Sequence, residues 1–255
     1  MKLRNLLSPE CCICGSEATA LPDGEFCPQC RKKLVFFSPD YRCNGCGGEN
    51  RTIFPVCPQC LNEPPRPWQT ARTIFAYQNF GKTVIHKFKF RRHSEIALPL
   101  GLLAAEVLKS APVDCDFIVP IPLNFWKELV RGFNQAELFA KVISRQTGIP
   151  FAGFLRSKLS FTSQRSRSRE ARHQAVKDKF QVRRPVPQGA KLLLVDDIFT
   201  TGSTLTAATE LLLKSGAASV SVLTAARTLS AAEYTENKFF QLQLQSEKQN
   251  PALNS

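Results

Sequence analysis

Residues Lys191–Thr204 read KLLLVDDIFTTGST, and the fold follows from them. Four consecutive apolar residues, Leu192 to Val195, describe a short strand buried on both faces, as in a parallel sheet. Asp196 and Asp197 follow where that strand is expected to end. Next come Thr200, Thr201, Gly202, Ser203 and Thr204, after which Leu205, Ala208, Thr209 and Leu212 recur at helical spacing. A strand, a turn rich in hydroxyls and a helix form an anion site: backbone N–H groups point out of the turn and the helix N-terminus adds partial positive charge. Gly202 permits positive φ and a close approach of ligand to backbone. Two carboxylates beside such a cradle repel an anion unless they face hydroxyls or a cation. A phosphorylated sugar satisfies both halves, its hydroxyls meeting the acids and its phosphate the turn.

The stretch resembles the 5-phosphoribosyl-1-pyrophosphate (PRPP) signature of type I phosphoribosyltransferases: an apolar strand, paired acids, then T-T-G-x-T. The resemblance implies that Asp196 and Asp197 hold ribose hydroxyls, and that Thr200, Thr201, Gly202, Ser203 and Thr204 hold the 5′-phosphate. Taken without it, the same residues also fit an ordinary strand–turn–helix with a solvated acidic corner.

The cysteines are equally ordered. They form four C-x-x-C pairs, Cys11/Cys14, Cys27/Cys30, Cys43/Cys46 and Cys57/Cys60, as a duplicated C-x-x-C-G then C-P-Q-C. Gly15 and Gly47 follow their pairs, and Pro28 and Pro58 sit inside theirs. This spacing presents two thiolates from one tight turn to a tetrahedral ion, so two structural Cys₄ Zn²⁺ sites are expected. Four pairs are too many for one redox enzyme, and disulfides do not suit a reducing compartment. The pairs combine in chain order or crossed, and Cys12 is an alternative to Cys11. Cys115 reads as a small buried residue.

The chain has 255 residues, and its 34 Lys and Arg against 21 acids give a formal charge of +13. Eight thiolates around two Zn²⁺ lower that by four, to about +9. A basic protein of this kind suits phosphate-rich or polyanionic partners. No apolar run fits a signal peptide or a bilayer span, so the expectation is a soluble, cytoplasmic protein without membrane insertion. The expected organisation is a double zinc ribbon at 1–62, a proline-rich linker at 63–70, a phosphoribosyltransferase-like α/β domain at 71–228, and a polar, partly disordered tail at 229–255.

Within the α/β domain, Ala71–Tyr77 and Asp116–Ile121 read as strands and Leu98–Lys109 as a helix. Gly81–Arg92 reads as an amphipathic basic helix, with Lys82, Lys87, Lys89, Arg91, Arg92 and His86, no acid, and an apolar face of Val84, Ile85 and Phe88. A further strand is expected at Ser219–Ala225. Arg156–Arg184 carries ten Lys or Arg against two acids. It fits a lid, a basic arm for a nucleic-acid backbone, or a disordered loop.

A second resemblance rests on PIPL at Pro120–Leu123, RGFNQAE at Arg131–Glu137, the spacing of Tyr77, Gly81, Lys89 and Phe90, the cysteine pairs and the acid–hydroxyl loop. Over residues 10–228 the chain is similar to the ComF family, which joins a zinc ribbon to a type I phosphoribosyltransferase-like domain. That fold implies a mainly parallel sheet with helices on both faces and a site at the carboxyl ends of its strands. The resemblance implies PRPP with Mg²⁺ as ligand and a role in natural competence, DNA uptake or DNA utilisation. RGFNQ would open a helix whose buried stripe is Ala136, Phe139, Ala140 and Ile143. Lys127, Arg131 and Asn134 would then face pyrophosphate, with Arg131 and Asn134 alternatively tied to local backbone. In the lid position Gln164 and Arg172 match the family pattern, while Arg167 and Ala175 depart from it. Two functional classes follow: an enzyme transferring phosphoribose to an acceptor, with no general base evident, and a PRPP-responsive protein that handles nucleic acid. Phe88 and Phe90, interleaved with cations, would supply stacking surfaces for single-stranded DNA.

Overall fold

The computed structural model describes residues 10–16, 26–158, 179–229 and 233. Its centre is a sheet of four parallel strands in the order β1-β6-β5-β2. The strands are β1 (Ala71–Ala76), β2 (Phe117–Pro120), β5 (Lys191–Phe199) and β6 (Ser219–Arg227). β3 (Leu155–Ser157) and β4 (Phe180–Val182) form a separate antiparallel hairpin.

Burial on both faces explains the apolar run in β5. Leu193 and Val195 join Phe75, Phe88, Leu100, Phe139 and Ile143 on one side, whereas Leu192 and Leu194 join Leu205, Ala208 and Leu212 on the other. The first side is covered by α3 (Asn79–Phe88), a 3₁₀ turn at Arg91–Ile96, α4 (Ala97–Ser110) and α6 (Gln135–Thr147). The second is covered by α7 (Ser203–Lys214) and the β3–β4 hairpin. Each fully buried Leu contributes about 1.5–3 kcal/mol of transfer free energy, so the side-chain alternation of β5 fixes its register and its two neighbours together.

The cysteine pairs flank both halves of this core. Two short helices, α1 (Pro28–Lys32) and α2 (Pro58–Leu61), begin at the prolines inside C-P-Q-C, where a missing N–H costs nothing. The first set packs against the α3–α4 side, and the second against the α7 side.

Three elements differ from the sequence reading. β5 continues through both acids to Phe199, because β6 keeps pairing beyond them, with Asp196 opposite Thr224 and Phe199 opposite Arg227. The basic helix stops at Phe88: Phe90 is extended, with φ −106° and ψ 141°, and the 3₁₀ turn follows. An additional helix, α5 (Phe125–Arg131), precedes α6; it buries no residue, which is why no apolar stripe announced it. No helix among the described residues is long and apolar enough to cross a membrane.

Candidate functional site

β2 and β5 part company at the site. Pro120 pairs with Val195, the residue before Asp196, and Ile121 N–H makes the last contact, to the Val195 carbonyl at 2.8 Å. Pro122 has no N–H to extend the ladder. Beyond Val195 the β2 side of β5 is therefore open, and a cleft of about 220 Å³ lies there, lined by both acids and by Thr200, Gly202, Ser203 and Thr204.

The loop has the conformation its sequence requires. Gly202 is left-handed, with φ 78°, and precedes the first residue of α7. A Cβ on Gly202 would be strained in φ and would meet Phe199 Cζ at 3.0 Å. The Thr201 and Ser203 hydroxyls bond each other at 2.6 Å and Ser203 N–H donates to Thr201 Oγ1 at 3.4 Å, which leaves the loop edged with oxygens beside the N–H groups of the first helical turn. An anion placed there receives those donors and the helix dipole together.

The two acids differ. Asp197 is almost fully buried and lies 3.4 Å from Lys89 Nζ, while its own N–H donates to Asp196 Oδ1 at 2.8 Å. Loss of solvent around Asp196, followed by repulsion from Asp197, holds the Asp196 carboxyl well above the usual range. The pair is thus crowded, and ligand hydroxyls or a cation relieve it.

Cations ring the cleft. Lys89 and Lys179 lie beside the acids, and Lys127 and Arg131 lie one turn apart on α5. Lys179 donates to Thr204 Oγ1 at 3.3 Å; burial lowers its ammonium pKa, opposed by Asp196 and assisted by Lys127. Arg131 donates to Gln135 Oε1 at 3.0 Å. Asn134 caps α6: its Oδ1 accepts from Ala136 N–H and its Nδ2 donates to the Ile121 carbonyl, each at 3.0 Å. Asn134 therefore shapes the wall, with its amide given to backbone rather than to a ligand. RGFNQ spans a helix end, a left-handed Gly132 and a new helix start, instead of opening a single helix. Gln164 and Arg172 lie outside the described residues.

Sequence reasoning did not single out Lys179, Lys89 or Gln135 for this cleft. Lys179 precedes β4, and its value comes from the hairpin bringing it to Thr204, a contact no local pattern encodes. Lys89 was visible as one cation of the basic helix and as part of a spacing pattern, neither of which placed it beside Asp197.

The cysteines gather in chain order, as Cys11, Cys14, Cys27 and Cys30 and as Cys43, Cys46, Cys57 and Cys60, with the Sγ atoms of each set within 4.8 Å of one another. Among the described residues no cysteine is in a disulfide. Four thiols converging in this way fit a tetrahedral Zn²⁺. In the second set, the hydrogen bond from Cys46 is the leading cause that holds Cys43 below the usual thiol range, and that with Cys43 is the leading cause that pushes Cys46 above it. Zn²⁺ in either set would supply cross-linking of two chain turns, and Cys12 stays outside both.

A parallel strand carrying paired acids near its carboxyl end, a glycine-containing hydroxyl loop and a helix N-terminus facing one cleft define a phosphoribosyltransferase-like domain. Consistent with this, the family model "Phosphoribosyl transferase domain" matches residues 134–251. The chain is 35% identical over 207 residues to DNA utilization protein YhgH of Escherichia coli K12, covering 73% of this chain and 90% of that protein. It is 30% identical over 219 residues to Competence protein ComFC of Bacillus subtilis strain 168, covering 81% and 86% respectively. Competence protein F of Haemophilus influenzae Rd is 29% identical over 234 residues, covering 88% of this chain and all of that protein. The chain belongs to the ComF family of phosphoribosyltransferase-like proteins.

Proposed function

We propose that this protein binds PRPP with Mg²⁺ in the β5–α7 cleft and acts in DNA uptake or DNA utilisation. The observation that carries the ligand is the meeting of two opposite chemistries in one cleft: an acidic pair, and a left-handed glycine loop at a helix N-terminus. Ribose hydroxyls suit Asp196 and Asp197, the 5′-phosphate suits residues 200–204, and the cations Lys127, Arg131 and Lys179 suit pyrophosphate. Mg²⁺ would supply neutralisation of the pyrophosphate charge. The biological role is inferred from the names of the relatives, which speak of DNA utilisation and competence. Isothermal titration of PRPP with and without Mg²⁺ tests the ligand: saturable binding that disappears in an Asp196→Asn, Asp197→Asn double variant supports it. Binding that survives both substitutions, or that inorganic sulfate reproduces in full, defeats it.

A second reading, direct contact with single-stranded nucleic acid, is favoured by a neighbouring groove of about 540 Å³. Arg156, Arg183 and Arg184 line one wall and the half-exposed Phe125 another. Guanidinium groups beside an exposed aromatic ring suit phosphates and stacked bases. The stacking pair expected on the basic helix does not serve: Phe88 is fully buried, and only Phe90 reaches solvent. The arm residues between 159 and 178 lie outside the described residues.

A further inference from the structure

The segment between the cysteine pairs and β1 carries three prolines, yet it is held closely against the site. Its Arg66 is largely buried and donates from Nη1 to the Thr201 carbonyl at 3.1 Å. The guanidinium lies over two aromatic rings, 5.7 Å from the centroid of Trp68 and 5.7 Å from that of Phe199. Glu63 pairs with it from the same segment. Trp68 in turn is buried and donates its indole N–H to the Gly45 carbonyl at 3.0 Å. Gly45 stands between Cys43 and Cys46, and a Cβ there would press on Cys60 Sγ at 2.9 Å. An unbroken series of contacts therefore runs from the second cysteine set, through Trp68 and Arg66, to the middle of the hydroxyl loop.

We propose that Arg66 is a positioning residue for the phosphate loop, and that through Trp68 the second cysteine set, not the first, determines the shape of that loop. The proposal rests on the reading of residues 200–204 as a phosphate cradle. Its physical basis is peptide geometry. The carbonyl of Thr201 and the N–H of Gly202 belong to one trans peptide unit and point in opposite directions. A cation fixed on that carbonyl turns the Gly202 N–H away from Arg66, and Gly202 lines the cleft. The same cation polarises the peptide unit, so the N–H becomes a stronger donor to an anion. Lysine is a poor substitute, since a compact ammonium cannot stack on two rings while donating from a plane.

A second contact reinforces the link. Thr73 Oγ1 donates to the Cys46 carbonyl at 3.3 Å and lies 2.9 Å from Thr224 Oγ1, and Thr224 is the β6 partner of Asp196. The first cysteine set makes its described contacts elsewhere, with Lys87 Nζ on the Ile13 carbonyl at 2.8 Å and Arg31 on Glu106 at 2.8 Å.

The test uses the full chain purified with its metal, in wild type, Arg66→Met, Arg66→Lys and Trp68→Phe forms. Amide hydrogen exchange is followed without ligand, and ribose 5-phosphate binding by calorimetry. Arg66→Met is expected to speed exchange across 199–205 while β1, β6 and α4 keep wild-type protection. It should also raise the ribose 5-phosphate dissociation constant about tenfold, the effect of one lost charge-assisted contact. Arg66→Lys should recover part of both effects. Trp68→Phe, which keeps the ring and removes only the indole donor, should loosen the same loop by a smaller factor. Unchanged exchange at 199–205 in Arg66→Met overturns the proposal, as does a general rise over the whole sheet, which would mean mere loss of packing. If Arg66→Met does not fold, Trp68→Phe decides by the same criteria. Should ribose 5-phosphate bind no form at all, the phosphate reading falls, while exchange at the loop still decides whether Arg66 sets its shape.

Discussion

Lys89 Nζ and Asp197 Oδ2 stand 3.4 Å apart, joining the residue that caps α3 just past its end to the buried member of the acid pair. Without ligand, Lys89 offsets a carboxylate that would otherwise sit uncompensated beside Asp196. Removing it as Lys89→Met should add the penalty of a buried unpaired charge, which runs to a few kcal/mol. Chemical denaturation should show the loss, and Lys89→Met combined with Asp197→Asn should restore most of it. Additive losses in the double variant would mean the two side chains do not interact.

Asp196 should reveal itself in pH dependence. Its carboxyl is raised in the folded chain, so the folded state holds that proton more tightly than the unfolded state does. The associated stability is fully present below the ordinary aspartate value, about 3.9, and is lost as pH rises through the elevated folded value. Above that elevated folded value the ionised group is a burden, and there Asp196→Asn should raise the melting temperature by roughly 2–4 °C per kcal/mol relieved. The gain should shrink as pH falls towards 4, while PRPP loses its stabilising shift. A variant melting below wild type at pH 7 would show that Asp196 is satisfied as a charge.

For Lys179, burial is the leading cause of a lowered pKa. The sign is that of a cation losing its proton early. Ribose 5-phosphate affinity should begin to fall at a pH below the range where an ordinary lysine titrates, near 10.4. Lys179→Met should weaken binding and remove that alkaline limb. An identical limb in the variant would assign the titration to another group.

Metal content gives a direct count. Protein purified without added metal should carry about two Zn²⁺ per chain, one for each Cys₄ set. Chelation should destabilise the sheet as well as the N-terminal residues, because Cys46, Gly45 and Gly48 touch Thr73, Trp68 and Arg227. A metal-free preparation with the same melting temperature would defeat this.

The nucleic-acid reading predicts binding that weakens steeply with salt. Replacing Arg156, Arg183 and Arg184 by Gln should reduce the log–log salt slope by roughly 0.7 per lost phosphate contact on a single strand. Fluorescence anisotropy of a labelled oligonucleotide at low salt measures it. No binding by wild type at micromolar protein would leave any role in DNA utilisation to partner proteins or to PRPP.

Local chemistry is what made the sequence legible. The strand, acids, glycine loop and helix lie within about two dozen consecutive residues, and a C-x-x-C pair needs four, so both could be read without knowing the fold. Long-range contacts could not. Arg66 meets Thr201 across 135 positions, and nothing beside Arg66 in the chain announces that contact. α5 was invisible for a different reason: Phe125, Trp126, Leu129 and Val130 are all exposed, Val130 to 83%, so its residues follow no inward-facing period. Phe88 and Phe90 show the remaining difficulty. Their spacing of two suited a shared surface only if the helix ended before them. It ends between them, so one ring entered the core and the other did not.

The pairing of β1 with β6 has a consequence for biogenesis. Ala71 lies opposite Val222 and Ala76 opposite Arg227, so one edge of the sheet waits for a partner about 150 residues downstream. As the chain leaves the ribosome, the cysteine turns close on nearby ligands while β1 still lacks its neighbour, and β5 emerges before β6 can cover its flank. Such non-local closure is slow and exposes strand edges meanwhile. A metal-bound N-terminal unit lying against β1, with Phe36 opposite Phe75 on the edge away from β6 and Cys46 against Thr73, would cover that other edge during synthesis and hold β1 in place until β6 arrives. Zinc starvation should then appear first as aggregation of newly made chains, before any change in those already folded.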